Sequence, residues 1–337
     1  MKTRPQTQRK IGLEQLENRE LFAGNVLAYM SGTGDLNLLE ATADIGEGQA
    51  VQVHQIAANR FRVSGLGSQD GGNTLINGAT YRDFTVYGNI NINLANGRDT
   101  VLLGRATSTS FNKDVYINSG VDVSSNDLDS ISVEKVTTKG HLTIDSGASA
   151  DYINVIGSRI GDGVNIDNLA IYAGSGADYI NVISGYGRFL EVTGNLHVDT
   201  YDSQSELDAD RIYMSGAYSR GNVQAFMGGG NDTLTATDIF AGNDVFFATD
   251  GGNDMVSLNS VRANDDFWAY LGDGDDRLDL QYLVADVLTL DGGAGYDNLN
   301  TSVPGPVNQQ VTRGWEVING RSQIYFRDSN LGTFGTF

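Results

Sequence analysis

Short runs of alternating apolar and polar residues recur along the chain. Examples are NLHV at residues 195–198, NVQAFM at 222–227, NDVFFA at 243–248 and VLTL at 287–290. Alternation with a period of two is typical of a β-strand that buries one face. Glycine with asparagine or aspartate between such runs indicates turns. Because no segment has the pattern of a long amphipathic helix, the sequence predicts an all-β protein of many short strands.

A glycine-rich motif that ends in aspartate separates these strands. Its four clearest copies are MGGGNDTLT, TDGGNDMVS, LGDGDDRLD and GGAGYDNLN, which end their turns at Asp232, Asp254, Asp276 and Asp297. These aspartates are 22, 22 and 21 residues apart. Weaker copies extend the series backwards to Asp99, Asp129, Asp151, Asp178 and Asp210. A fixed period of this length is typical of a solenoid, and the longer intervals predict loop insertions.

We therefore expect a right-handed parallel β-helix or β-solenoid with coils of about 22 residues and capped ends. One coil cannot bury its own apolar face, so stacked coils must supply apolar columns along the axis. The residues predicted to point inward are Val223, Phe226, Leu234, Val245, Phe247, Val256 and Leu258.

The predicted domain organisation has four parts. Residues 1–24 are expected to be a basic, disordered leader of the export type, and residues 25–84 an N-terminal β cap with the first coils. Residues 85–303 form the solenoid repeats, and residues 304–337 a linker and C-terminal cap, because two prolines follow the last repeat at positions 304 and 306.

Composition excludes several functions. The chain has 22 Lys plus Arg against 42 Asp plus Glu, a net charge of −20, which argues against nucleic acid as a partner because phosphates need positive charge. The absence of cysteine excludes disulfides, thiolate metal sites and a cysteine nucleophile. No apolar run reaches the roughly 18 residues of a membrane-spanning helix, so no transmembrane segment is predicted.

Two parts of the chain resemble known protein families. IGLEQLENRELFAG, residues 11–24, resembles the LE-x-LE-x-R-x-L-x-A segment of exported or surface proteins of planctomycete bacteria, and residues 26–67 and 74–103 resemble the opening β-coils of such proteins. The glycine-rich repeats are similar to the RTX, or haemolysin-type, calcium-binding repeat. The resemblance implies an extracellular or cell-surface location and Ca²⁺ as a candidate ligand.

The candidate calcium ligands lie in the last four corners. Carboxylate and turn carbonyl oxygens suit Ca²⁺, and glycines let a corner adopt positive φ. Only residues 292–297 keep all six turn positions of the RTX pattern, and one corner per coil allows a single column of sites. The alternative is a metal-free corner in which each aspartate accepts backbone N–H groups of its own turn. The candidate metal ligands are Asp232, Asp254, Asp276 and Asp297, with Asp250, Asp273 and Asp275 as neighbouring donors.

Catalytic motifs are absent from the sequence. There is no HExxH, GxSxG or P-loop. His141 and His197 take similar places in GHLTID and NLHVDT and are expected to be ordinary strand residues, as are tyrosines that recur along the strands and favour cross-strand packing over a contact surface. The basic residues Arg211, Arg262 and Arg277 lie in separate coils.

The expected function is therefore a non-enzymatic extracellular or cell-surface β-solenoid with a structural or adhesive role and with Ca²⁺ as the candidate ligand of its glycine-rich aspartate corners. A cell-envelope glycan or protein is its candidate partner, and no catalytic residue or organic cofactor is assigned. The alternatives are a metal-free structural spacer and a β-helix lyase or hydrolase that acts on polysaccharides.

Overall fold

The chain folds into a β-solenoid. The structure is a computed structural model that describes residues 24–41, 47–69, 71–120, 128–201, 207–301, 307–315 and 317–319. These residues contain 28 strands and no helix, and most strands pair in parallel. They form about 8 turns of about 25 residues each. The predicted solenoid is confirmed, and the mean turn exceeds 22 residues because several turns carry insertions, as the intervals of 27 and 32 residues show.

The strands of the N-terminal half are β1 Asn25–Met30, β2 Leu36–Glu40, β3 Ala50–Ala57, β4 Arg60–Gly65, β5 Leu75–Ile76, β6 Tyr81–Thr85, β7 Ile90–Asn93, β8 Thr100–Phe111, β9 Val115–Asn118, β10 Ser130–Thr138, β11 Leu142–Asp145, β12 Tyr152–Ile156, β13 Arg159–Ile160 and β14 Leu169–Tyr172. Those that follow are β15 Tyr179–Ile183, β16 Leu190–Val192, β17 Leu196–Asp199, β18 Arg211–Ser219, β19 Val223–Phe226, β20 Thr233–Ala241, β21 Val245–Ala248, β22 Met255–Ala263, β23 Phe267–Tyr270, β24 Arg277–Leu280, β25 Leu283–Asp291, β26 Asn298–Thr301, β27 Val307–Arg313 and β28 Val317–Asn319.

A regular turn consists of one long bent strand, one short strand and a glycine-rich corner. In β20 the bend lies at Asp238, whose φ of 53° is left-handed, and Lys135, Gly216 and Ser260 occupy the same conformation in β10, β18 and β22. We call the parts of the long strand before and after the bend its first and second arms. The short strand β21 follows, pairing in parallel with β19 and β23. The bend and the corner give each turn its closed outline.

Apolar columns fill the interior. Every second residue of each strand points inward, and parallel pairing in register places equivalent residues of successive turns above one another. One such column contains Leu142, Leu169, Leu196, Val223, Val245, Phe267 and Leu288, all buried. The core is therefore continuous along the axis.

Six of the seven residues predicted to point inward are buried, and the prediction for Phe226 is wrong. Val223 and Ala225 point inward in β19, so the two-residue period places Phe226 on the outer face. Its ring there lies 5.2 Å from that of Phe246.

The two ends of the described stack differ from the regular turns. At the N-terminal end, β1 pairs antiparallel with β2, and β4 pairs antiparallel with β3 and β6. Strands β2 and β3 also pair in parallel with β7 and β8, where the parallel array starts. At the other end, Trp315 packs against the core and its Nε1–H donates to the Leu290 carbonyl at 3.3 Å. The predicted leader, apart from Gly24, and residues 320–337 lie outside the described residues, and the domain boundaries remain predictions. The part of the chain that is described holds no helix long and apolar enough to cross a membrane.

Candidate functional site

Nine buried aspartates form a single hydrogen-bonded column at the corners, which we call the aspartate ladder. The Oδ1 atom of each accepts the backbone N–H of the residue at the same place in the preceding turn, at 2.6–3.0 Å. Each side chain is at most 2% exposed. The members are Asp99, Asp129, Asp151, Asp178, Asp210, Asp232, Asp254, Asp276 and Asp297.

The ladder comprises the same nine residues that the repeat period places in one series. The metal-free interpretation of the corner expects backbone donors within the same turn. The structure instead places these donors in the adjacent turn, because the carboxylate points along the axis toward the preceding coil. Each aspartate thereby joins two turns as well as shaping its own corner.

Burial makes two of the ladder carboxyls, Asp254 and Asp276, weaker acids than an ordinary aspartate. Desolvation raises the pKa of Asp254 to about 6, against hydrogen bonds from Asp232 and Thr249 that favour the charged form. Desolvation also raises the pKa of Asp276 to about 7, and the charges of Asp254 and Asp297 add to it. The Oδ2 atom of Asp276 is buried and has no hydrogen-bond partner within the described residues. The Asp276 carboxyl therefore carries a proton for much of the time at neutral pH.

The three neighbouring candidates are less buried than the aspartate ladder. Asp250 adopts φ 60° and is half-buried, and burial raises its pKa. Asp273 and Asp275 are exposed. Asp275 Oδ1 accepts the Tyr296 N–H at 2.9 Å, while Asp275 N–H donates to Asn253 Oδ1 at 2.7 Å.

The seven candidate calcium ligands are thus divided between an inner and an outer side of the corner. Among the residues that the structure describes, no three histidine, aspartate or glutamate side chains are grouped so that they could hold a metal ion. Calcium binding stays a prediction.

A second hydrogen-bonded column, which we call the asparagine ladder, runs along the residues that precede the short strands. In this ladder each side chain accepts the backbone N–H of the equivalent residue in the following turn. In the aspartate ladder the accepted N–H belongs to the preceding turn, so the two ladders run in opposite directions. The members are Asp35, Asn89, Asp114, His141, Asn168, Asn195, Asn222, Asp244 and Asp266. The two ladders together tie each turn to its neighbours in both directions.

His141 is a member of this ladder and not a strand residue. Its Nδ1 accepts the Asn168 N–H at 2.9 Å, so that nitrogen carries no proton in this arrangement. The predicted equivalence of His141 and His197 is wrong, because Leu142 aligns with Leu196 and places His141 opposite Asn195. His197 instead lies on the outer face, where its ring contacts Tyr172 at 5.4 Å.

The asparagine ladder was missed at the level of sequence. Its signal is a residue with a short polar acceptor directly before each alternating run, as in NLHV and DVFF. The acceptor is asparagine in some turns and aspartate or histidine in others, so the sequence shows no single residue type repeated in every turn.

Outward aromatic residues pack against each other across neighbouring strands. Tyr152 and Tyr179 stack with ring centroids 5.1 Å apart, and His197 lies between Tyr172 and Phe226. The predicted cross-strand packing is confirmed for Tyr152, Tyr172 and Tyr179.

No protein-family model, curated protein or solved structure matches this chain. The resemblances to planctomycete exported proteins and to RTX repeats therefore stay predictions, and most of the segment 11–24 lies outside the described residues.

Proposed function

We propose that this protein is a non-enzymatic structural and adhesive β-solenoid of the cell exterior or cell surface. The observation that carries the proposal is the aspartate ladder, which links successive turns from Gln49 to Asp297. Each buried Oδ1 has a backbone donor in the preceding turn, which supports a corner whose shape depends on hydrogen bonds between turns. A rod of this construction can support a binding surface at a distance from its attachment.

The proposed location rests on the resemblance of the N-terminal segment to export segments and on the acidic composition. A net charge of −20 keeps an extended protein soluble and disfavours association with itself. Protease accessibility on intact cells that produce the protein, compared with lysed cells, measures that location directly.

The alternative for the last four corners is that they bind calcium. A cation would need charged, accessible oxygens, whereas the Asp254 and Asp276 carboxyls are buried and have raised pKa values. These features favour a corner stabilised by backbone hydrogen bonds to protonated carboxyls over a calcium corner.

Thermal unfolding at pH 7.5 in calcium and in chelator separates the two accounts. We expect the same transition temperature in 5 mM calcium and in excess chelator, because a ligand stabilises only a state that it binds. The control is Asp273→Asn with Asp275→Asn, which removes the two exposed carboxylates and leaves the aspartate ladder intact. A transition that rises by several degrees in calcium, and no longer rises in the control, would overturn the metal-free corner.

A further inference from the structure

Two insertions flank a groove on the outer face of the second arms. One is the hairpin at Gly185 and Arg188, whose backbone groups exchange hydrogen bonds of 3.0 and 2.9 Å. The other is the loop of residues 161–167, whose Gly163 carbonyl accepts Arg220 Nη1–H at 3.2 Å. The groove has a volume of about 800 Å³. Insertions in solenoids often gather on the binding face.

The floor of the groove is a row of side chains from five successive turns. Thr137, Arg159, Glu191, Tyr218 and Phe240 are aligned in the parallel register and line the groove. Neighbouring strands lie about 4.8 Å apart, so the row presents one side chain at each step along the axis. A chain-like ligand parallel to the axis would meet each of them in turn.

Three arginines converge on this groove although the chain as a whole is strongly acidic. Arg159 and Arg220 both approach Glu191 Oε1, at 3.6 and 3.5 Å. Arg188 is exposed and makes no ion pair within the described residues. The lining has Asp238 as its second acid, and the flanking loop carries Asp162 and Asp167. Because Arg159 and Arg220 share Glu191, the guanidinium of Arg188 is the positive charge most available to a ligand.

Aromatic rings form the apolar part of the groove. Tyr218 and Phe240 stack with centroids 4.9 Å apart and planes at 6°. Phe189, on the insertion, is 71% exposed although it is a large apolar side chain. Aromatic faces of this kind suit the apolar faces of sugar rings, and a nearby guanidinium suits a carboxylate.

The insertion that carries Arg188 and Phe189 is held in place. The Tyr186 hydroxyl donates to Glu134 Oε2, and Lys135 Nζ lies 3.9 Å from the centroid of the Tyr186 ring. Because these contacts fix the hairpin before any ligand arrives, little ordering remains to be done on binding.

We propose that the groove binds an acidic oligosaccharide, with sugar carboxylates at Arg188 and its neighbouring arginines and sugar rings against Phe189 and Tyr218. Glu191 and Asp238 supply acceptors for sugar hydroxyl groups. A nucleic acid is the other polyanion that arginines and aromatic rings bind, and its binding is an outcome of the test below. This inference rests on the adhesive half of the proposed function and names its class of ligand.

Isothermal titration of the whole protein in chelator tests the groove. The probes are hexagalacturonate, a neutral hexasaccharide and an oligothymidylate of similar length. We expect binding of hexagalacturonate alone, weakened by salt. Arg188→Ala should lower its affinity about tenfold, the scale of one charge-assisted contact. Phe189→Ala should lower it by a similar factor.

The matched controls are an exposed arginine and an exposed aromatic residue outside the groove. Arg277→Ala removes a guanidinium that pairs with Asp279 in β24. Tyr179→Ala removes a stacked ring in β15. Both should leave the affinity unchanged. Arg188 and Phe189 are exposed, so their replacements are expected to fold, and an unchanged melting transition verifies this.

Three results would overturn the groove proposal: no binding of hexagalacturonate, binding that Arg188→Ala and Phe189→Ala leave intact, or tighter binding of the oligothymidylate. Binding of the neutral sugar alone would likewise overturn the acidic ligand class. The structural part of the proposed function is tested by thermal unfolding in calcium and in chelator. None of the binding results above affects that measurement, so the two proposals can fail independently.

Discussion

At the scale of the residue, Asp276 combines two properties that are usually opposed. Its Oδ1 accepts a hydrogen bond from the Asp254 N–H at 2.8 Å. Its Oδ2 is buried and has no hydrogen-bond partner among the described residues. The first property requires an oxygen at this position, and the second disfavours a negative charge there. A protonated carboxyl satisfies both requirements.

The pH dependence of stability follows from the raised pKa values. A carboxyl whose pKa is near 3.8 when unfolded and about 7 when folded stabilises the folded state fully below pH 3.8, and this stability is lost as the pH rises toward 7. Asp254, with a folded pKa of about 6, acts in the same direction. We expect the free energy of unfolding to fall by about 5 kcal/mol between pH 4.5 and 8, about 3 from Asp276 and about 2 from Asp254, as urea titrations at a series of pH values would measure.

Two replacements of Asp276 test this explanation. Asp276→Asn keeps an oxygen acceptor without the charge, so it should remove the Asp276 part of the pH dependence, leave the part that Asp254 contributes, and unfold no more easily than the wild type at pH 8. Asp276→Ala leaves the Asp254 N–H buried without its acceptor and should cost about 1–3 kcal/mol at either pH. An asparagine variant with the full pH slope of the wild type would show that this carboxyl is not the titrating group.

At the scale of the element, the corner depends on glycine because successive turns approach closely there. Gly252 has φ 125°, and a Cβ atom on it would lie 1.4 Å from the Gly230 carbonyl oxygen of the preceding turn. Gly252→Ala must therefore separate two stacked corners, and we expect a loss of more than about 2 kcal/mol in the free energy of unfolding.

The matched control is Gly32→Ala, because a Cβ at Gly32 meets no atom within 4 Å and its φ is not left-handed. That variant should stay within about 0.5 kcal/mol of the wild type. Denaturant midpoints measure both, and equal midpoints for the two variants would refute the account of close stacking.

The corner motif was readable from the sequence, whereas the groove was not. The aspartate ladder repeats one residue type at nearly constant spacing in its last turns, so its period places Asp232 and Asp254 in one column. The groove brings together Arg159, Arg188 and Arg220 from turns whose insertions differ in length. Their sequence spacing is therefore irregular, and only the register of the folded strands shows that they lie close together. Phe226 is apolar but lies three residues after the inward Val223, so the two-residue period of the strand places it on the outer face.

At the scale of the whole molecule, the contacts of the solenoid link each turn to the turns directly before and after it. Each turn contacts the turns before and after it through paired strands and through both ladders. The stability of such a stack is approximately the sum of the contributions of its turns and interfaces. A local defect should therefore weaken the adjacent turns more than distant ones.

Asp178→Ala tests this locality in the middle of the stack. The Asp178 Oδ1 accepts the Asp151 N–H at 2.8 Å, so the replacement removes one interface of the ladder. Hydrogen exchange followed by mass spectrometry should show faster exchange in β12 and β15, because their protection depends on that interface, and little change in β22 and β24. A uniform loss of protection from β3 to β26 would instead show that the stack unfolds as one cooperative unit and that the nearest-neighbour description fails.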